Sequence, residues 1–495
     1  MNPCAMCSIL PLSAFVMAVA AAPTPSAPMN VPRGMALVPT GVFALPFRKD
    51  TAEVRMKVDP FYLDKHAVTQ SRFLSFVEAN PSQARSRMPR TFADPAYLSD
   101  WRDDSSPPAG LGNSPVTRVS WYAAKAFCAD QGKRLPTTAE WEWAAKSLPP
   151  GTDSAGLDSS ILAWYAKPSG DRLLAVGSGS MNGNGIRDLF GLVWEWTSDF
   201  DAFGFAGLNQ RGVGDSAAYC GAGSARAVKD AGYATYMSWA FRLSLKADYS
   251  LGSLGFRCAR DLDLRGRLKG PGAMRTFPPP VLKTLAIPDG SLYRVNSRWM
   301  RDDGSALQLA DLRGQVRVLS MFFTGCANLC PMLLGQLQSL EQAMPDTLKA
   351  KVGFVLVTLD SKEDTSGMLK AYRKKSHLAS EHWTLLRGSA DDTRELAALL
   401  GVRYTPKLDD GQMGHTGLIA ILDREGRMIF QVPGITDQKA FMAELTRQVF
   451  FDRQEETLDL QDGMRRAGIR NGLRQEKKGD PNPDPNRGTG EPQRK

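Results

Sequence analysis

Histidine is scarce in this chain: there are four in 495 residues, at positions 66, 377, 382 and 415. Within residues 34–260 His66 stands alone, so a metal centre built on a histidine cluster is excluded there. Cysteine is sparse too, with seven residues, and none lies between Cys220 and Cys258. No apolar run reaches the roughly 20 residues that a membrane-spanning helix needs. The longest candidate, Ile9–Ala22, ends in small residues and runs into PTPSAP. It reads as the apolar region and cleavage site of an export signal, or as an N-terminal anchor, within residues 1–28. No Lys or Arg precedes Arg33. Basic stretches interleaved with aromatics are also missing, and part of the +9 formal charge sits in the C-terminal tail. These absences argue against a nucleic-acid partner.

What is present divides into two blocks. With 495 residues the chain exceeds one ordinary core. Residues 34–260 are rich in Trp, Gly and turn formers, with helical periodicity at SWYAAKAFCADQ and TAEWEWAAK. Residues 261–284 read as a Pro/Gly-rich linker containing Pro278, Pro279 and Pro280. Residues 285–451 alternate strand and helix patterns. The tail, 452–495, has a composition that cannot build a core and is expected to be disordered. In the second block QVRVLSMFFT, VGFVLVTLD and HWTLLRG read as strands. PMLLGQLQSLEQAM places Leu333, Leu337, Leu340 and Met344 at helical spacing. SKEDTSGMLKAYRKK opens with Ser361 and Asp364 in capping-box spacing, and DDTRELAALLG is a helix closed by Gly401. GLIAILDREGRMIFQV is a hairpin turning at Arg424–Gly426, and TDQKAFMAELTRQVF is a final helix. This alternation predicts a thioredoxin-like α/β fold.

The chemistry concentrates where the first of these strands runs into GCANLCP. Cys326 and Cys330 are four residues apart. A helix beginning near Cys326 would set both thiols on one face of its first turn, where the helix dipole favours thiolate. Two such sulfurs serve as redox thiols or bind a soft metal. His377 and His382, among charged neighbours, read as surface residues. His415, in DDGQMGHTGLIAIL just before an apolar strand, is the candidate third ligand. Cys326, Cys330 and His415 would form a three-coordinate site suited to copper(I), and with an added weak ligand to copper(II). Met332 reads as core packing and Met413 as an exposed loop residue.

TGCANLCP, VLVTLDSKEDT and GHTGLIAILDREG together resemble the SCO/SenC family of copper chaperones. The resemblance implies a thioredoxin-like domain with Cys326 and Cys330 as the cysteine pair and His415 as the histidine ligand. Asp360 matches the acidic residue at the strand end, and a helix-capping role fits it equally well. Gly414, Thr416 and Gly325 depart from the family pattern beside the ligands.

In the first block, GMALVPTGVFALP, VDPFYLDKHAVTQSRFLSF, GNGIRDLFGLVWEWTSDF and GSLGFRCAR resemble the formylglycine-generating enzyme family, with its loop-rich, modified C-type-lectin-like α+β fold. Trp121, Trp141, Trp143, Trp194 and Trp196 read as core mass for such a fold. The resemblance implies a structural disulfide between Cys128 and Cys258. The family's oxidase binds copper(I) through two cysteines shortly before the last one. Here that stretch, GSARAVKDAGYATYMSWAFRLSL, contains none, and Cys220 lies upstream of it. Cys220 reads as a buried or free thiol. His66 alone cannot replace the pair with an iron site. Leu192 stands where the family's calcium loop has Asn, leaving Asp188 and Glu195 as the remaining calcium candidates.

The expectation is an exported, periplasmic or cell-envelope copper chaperone that delivers copper to, or keeps reduced the thiols of, a respiratory copper enzyme such as a cytochrome oxidase or a denitrification reductase, near the membrane if its N-terminal segment stays attached. Its first block would be a non-catalytic docking module. Two alternatives stand beside it: a thiol–disulfide oxidoreductase with no need of His415 or copper, and a modifying oxidoreductase acting through the first block.

Overall fold

The computed structural model describes residues 31–49, 52–148, 151, 153–165, 173–202, 233–262, 287–327, 329–378, 381–405 and 413–450. The signal-like segment, Cys220, nearly all of the linker and the tail lie outside the described residues. Among the described residues no helix is long and apolar enough to cross a membrane. The chain forms two compact units, one of residues 1–295 with 390–416 and one of residues 296–389 with 417–495.

The first unit has little regular structure. Met35–Val38, Phe61–Asp64 and Ala259–Asp261 make a three-stranded antiparallel sheet, and Gly41–Lys49 pairs with Ala52–Val58 as a hairpin. Three short helices start where a side-chain oxygen can satisfy an orphan amide. Gln70–Ala79 is capped by Thr69, Trp121–Asp130 by Ser120, and Thr138–Ala145 by Thr137 in a capping box with Glu140. Large aromatics supply the mass that regular elements do not. Trp101, Trp121, Trp196, Phe73, Phe127 and Phe256 are all buried in one cluster. The Phe73 ring lies 5.9 Å from Phe127 and 6.2 Å from Phe256. Cys128 and Cys258, both in that cluster, form a disulfide. Of the five tryptophans read as core, Trp121, Trp141 and Trp196 are buried. Trp143 and Trp194 are only half-buried. Trp143 sits at the core's edge because its indole N–H reaches out to the Pro39 carbonyl at 2.9 Å.

The second unit is built on a seven-stranded mixed sheet. In chain order its strands are β1 (Arg298–Arg301), β2 (Ala306–Gln308), β3 (Val316–Phe322), β4 (Val352–Thr358), β5 (Trp383–Arg387), β6 (Ile419–Leu422) and β7 (Met428–Val432). They lie in the order β7-β6-β3-β4-β5-β1-β2. β3, β4 and β5 are parallel, and β6 runs antiparallel to β3. The crossovers between the parallel strands carry helices α1 (Leu329–Ala343) and α2 (Ser366–Lys375), as parallel pairing requires. All seven residues of β4 and all four of β6 are buried, so both faces of the sheet's middle are covered. This is the thioredoxin-like layer arrangement that the sequence predicts. The strand patterns of the sequence do not include the β1–β2 hairpin. Its strands are short and carry Arg298 and Arg301, and its signal is the Asp303–Gly304 turn, with Gly304 at φ 86°.

Candidate metal centre

Apart from half-buried Arg317 and buried Ser320, β3 and Phe323 after it are apolar and buried, and the chain then turns out of the sheet at Thr324 and Gly325. The Cys326 amide donates to the Phe323 carbonyl at 3.2 Å. α1 begins at Leu329, not near Cys326 as the cysteine spacing suggests. The reason is Pro331. A helix starting at Cys326 would put Pro331 in its interior, where the ring clashes with a carbonyl and one hydrogen bond is lost; starting at Leu329 leaves Pro331 in the first turn, where its missing N–H costs nothing. Cys326 therefore lies in the loop and Cys330 in the first turn. One of the helix's orphan donors is used between them: the Cys330 amide donates to Cys326 Sγ at 3.3 Å.

Cys330 is buried and Cys326 half-buried, and neither is in a disulfide. The helix end does not make Cys330 acidic. Its thiol is pushed well above the usual range by its hydrogen bond with Cys326, then by burial and by the neighbouring sulfur's charge. Tyr372 on α2 is pushed up to about 12, by burial and then by the charge on Cys330.

His415 is 6% exposed. It bridges Tyr404, and on either side Thr405 N donates to the Gly414 carbonyl at 2.8 Å and Thr416 N to the Arg403 carbonyl at 2.9 Å. Its Nδ1 lies 3.2 Å from the Thr416 carbonyl. In the tautomer that donates there, Nε2 is left as the ligating nitrogen. Two residues on, Gly417 lies against α1. A Cβ at that position would stand 3.1 Å from Leu333 Cδ1 and 3.2 Å from Leu329 Cδ2 and the Pro433 carbonyl oxygen, so a side chain there would need these neighbours to give by a few tenths of an ångström.

Cys326, Cys330 and His415 each present one ligand atom, and these atoms lie within 4.8 Å of one another. Three donors with bonds of about 2.0–2.3 Å to one ion stand roughly 3.5–4 Å apart, so a small adjustment closes the set. Two sulfurs and one imidazole make a soft, low-coordinate donor set, which fits copper(I).

The other candidates fall elsewhere. The Asp360 carboxylate accepts the Glu363 amide at 3.1 Å and closes a turn. The Ser361–Asp364 box does not form, because the cap of α2 is Thr365. Met332 is 43% exposed rather than core, since Leu333 and Leu334 take the buried face of α1, and Met413 is half-buried rather than exposed. His377 is exposed and His382 half-buried. In the first unit both calcium candidates are committed internally. Asp188 accepts the Gly177 and Gly179 amides at 2.5 and 2.7 Å. Both oxygens of Glu195 accept from Arg257, at 2.7 and 2.8 Å, and one also accepts the Trp141 indole N–H at 2.8 Å. Neither joins a group of three metal donors among the described residues.

Comparison with known proteins matches the chain in two stretches. Residues 20–262 match the sulfatase-modifying factor enzyme 1-like domain family, and residues 294–449 match the SCO1/SenC family. The formylglycine-generating enzyme of Streptomyces coelicolor is 32% identical over 308 residues, covering 50% of this chain and 95% of the relative. The bovine formylglycine-generating enzyme is 26% identical, covering 48% and 79%. A bovine protein described as inactive C-alpha-formylglycine-generating enzyme 2 is 34% identical over 128 residues, covering 21% and 40%. Among solved structures, copper-bound ScoI from Bradyrhizobium japonicum is 23% identical and covers 31% of this chain and 96% of its own, with a TM-score of 0.28. A SCO1/SenC family lipoprotein from Bacillus anthracis is 26% identical and covers 30% and 91%, also with a TM-score of 0.28. The chain belongs to the formylglycine-generating enzyme family through its first block and carries a SCO1/SenC domain in its second.

Proposed function

We propose that this protein is an exported copper chaperone that binds copper(I) through Cys326, Cys330 and His415 and passes it to a respiratory copper enzyme. The observation that carries the reading is the convergence of those three donors, from a loop, a helix start and a distant strand entrance, within 4.8 Å. Copper is the cargo. Burial of Cys330 and His415 shields the ion from water, while half-exposed Cys326 gives an acceptor thiol a point of attack. Loading displaces the proton that Cys330 holds.

The first block, in this reading, recognises the client and performs no oxidation, because its sequence has no cysteine between Cys220 and Cys258 to form the copper pair of the related oxidase. Export is supported by the apolar run Ile9–Ala22 and by the disulfide between Cys128 and Cys258, a bond suited to an oxidising compartment.

Anaerobic titration of the reduced full-length chain with copper(I) should give one tightly bound equivalent. Cys326→Ser, Cys330→Ser and His415→Ala should each abolish stoichiometric binding. Undiminished binding in Cys326→Ser and His415→Ala would sink the proposal. A second reading, a thiol–disulfide oxidoreductase, is favoured by the closeness of the two cysteines: their sulfurs lie within 4.8 Å of each other, and the Cys330 amide donates to Cys326 Sγ at 3.3 Å. It is separated by the same variants, since it requires both cysteines and leaves His415→Ala active in disulfide reduction without copper.

A further inference from the structure

Asp364 is 1% exposed. A carboxylate so placed has to be bonded, and its bonds run to the approach to Cys326. Oδ2 accepts the Thr324 amide at 3.0 Å and also the Thr358 hydroxyl, while Oδ1 accepts the Thr324 hydroxyl. Thr324 stands two residues before Cys326, and Thr358 ends β4, the parallel neighbour of the strand that delivers the cysteines. The loop carrying Asp364 is itself held from β5. Arg387 Nε donates to the Asp364 carbonyl and Nη2 to the Ser361 carbonyl, each at 2.9 Å. Capping does not explain the residue, because the Thr365 hydroxyl accepts the Met368 amide and caps α2. Nor is Asp364 in the donor group. Its carboxylate makes both backbone and side-chain bonds to the single residue Thr324, and ties that residue to the end of another strand.

We propose that Asp364 is a positioning residue for the dithiol, strapping Thr324 so that Cys326 is held at metal-binding distance from Cys330 and not at disulfide distance. The inference deepens the copper reading and rests on it for its metal arm. The physical reason is the geometry of the two outcomes. A disulfide brings the sulfurs to about 2.05 Å, whereas two ligands of one ion stay roughly 3.5–4 Å apart. A loop fixed at Thr324 resists the first and is prepared for the second. Removing the strap frees Cys326 to approach Cys330. The dithiol then oxidises more readily, and the metal site loses its preorganisation.

The test equilibrates the full-length apo protein anaerobically with glutathione and glutathione disulfide. The two cysteines give up two electrons and two protons as their S–S bond forms, and one glutathione disulfide accepts them to become two glutathiones. In Asp364→Asn the equilibrium should move roughly tenfold toward the protein disulfide, about 30 mV in the two-electron potential. Thr324→Val, which keeps the carboxylate but removes the hydroxyl it grips, should move it the same way, and Thr324→Ser should restore it. Copper(I) affinity should fall about 10–100-fold in Asp364→Asn, as it does when a group supporting a metal ligand is lost. Wild-type potentials in Asp364→Asn and Thr324→Val would overturn the proposal. If Asp364→Asn fails to fold, Thr324→Val against Thr324→Ser decides alone. Should the wild-type chain bind no copper(I), the copper reading fails, while the glutathione equilibrium still decides whether the strap holds the thiols apart.

Discussion

Replacing Arg257 with Met should destabilise the first unit by about 3–5 kcal/mol, the cost of leaving one member of a buried ion pair without its partner. Arg257 and Glu195 are both 0% exposed at their side chains. The guanidinium meets the carboxylate through Nε at 2.7 Å and Nη2 at 2.8 Å, a bidentate pair. It also donates to the carbonyls of Asp64, Lys65 and Arg187, so one side chain joins segments far apart in sequence. Methionine fills much of the volume but satisfies none of these acceptors. Glu195 would keep only the Trp141 indole. For a domain of this size the melting temperature should fall by roughly 10 °C. The double variant Arg257→Met with Glu195→Gln should recover part of the loss, because the stranded charge is gone. A single-variant loss below about 1 kcal/mol, read by denaturant unfolding, would show that the pair does not organise this core.

Removing the disulfide should cost a similar amount. Cys128 and Cys258 are 130 residues apart and both fully buried. On the chain-entropy model, closing so long a loop in the unfolded chain is worth about 3–5 kcal/mol. The variant Cys128→Ala with Cys258→Ala should therefore unfold at distinctly lower denaturant concentration than the oxidised wild type. Reduction of the wild type should bring the two close together. Equal midpoints for oxidised wild type and variant would contradict the expectation.

Much of the second block is legible in the sequence because its strands are buried runs bounded by helical periodicity. β3 and β4 announce themselves as VRVLSMF and VGFVLVT. Gly401, which closes the helix Ala390–Leu400, adopts φ 69°. The start of α1 is harder to place, because the four-residue spacing of the cysteines points to Cys326 while Pro331 dictates a later start. Asp364 mimics a cap because S-x-x-D before a helix is a genuine capping pattern; its inward turn depends on Thr324 and Thr358, which lie beside it only once the sheet has formed. The same limit hides the role of Glu195. Its motif, WEW, resembles a calcium loop, while its partner Arg257 lies 62 residues away and is brought in only by tertiary folding. His415 is legible for the opposite reason: it lies in the short segment leading into the buried strand β6, within GHTGLIAILDREG, the stretch that resembles the SCO/SenC pattern.

The most direct measurement is X-ray absorption at the copper edge of the full-length chain loaded with one equivalent of copper(I). Two sulfur neighbours and one imidazole nitrogen should be bonded to copper, and the nitrogen should vanish in His415→Ala. A spectrum of sulfur alone, identical in wild type and His415→Ala, would contradict the three-donor centre.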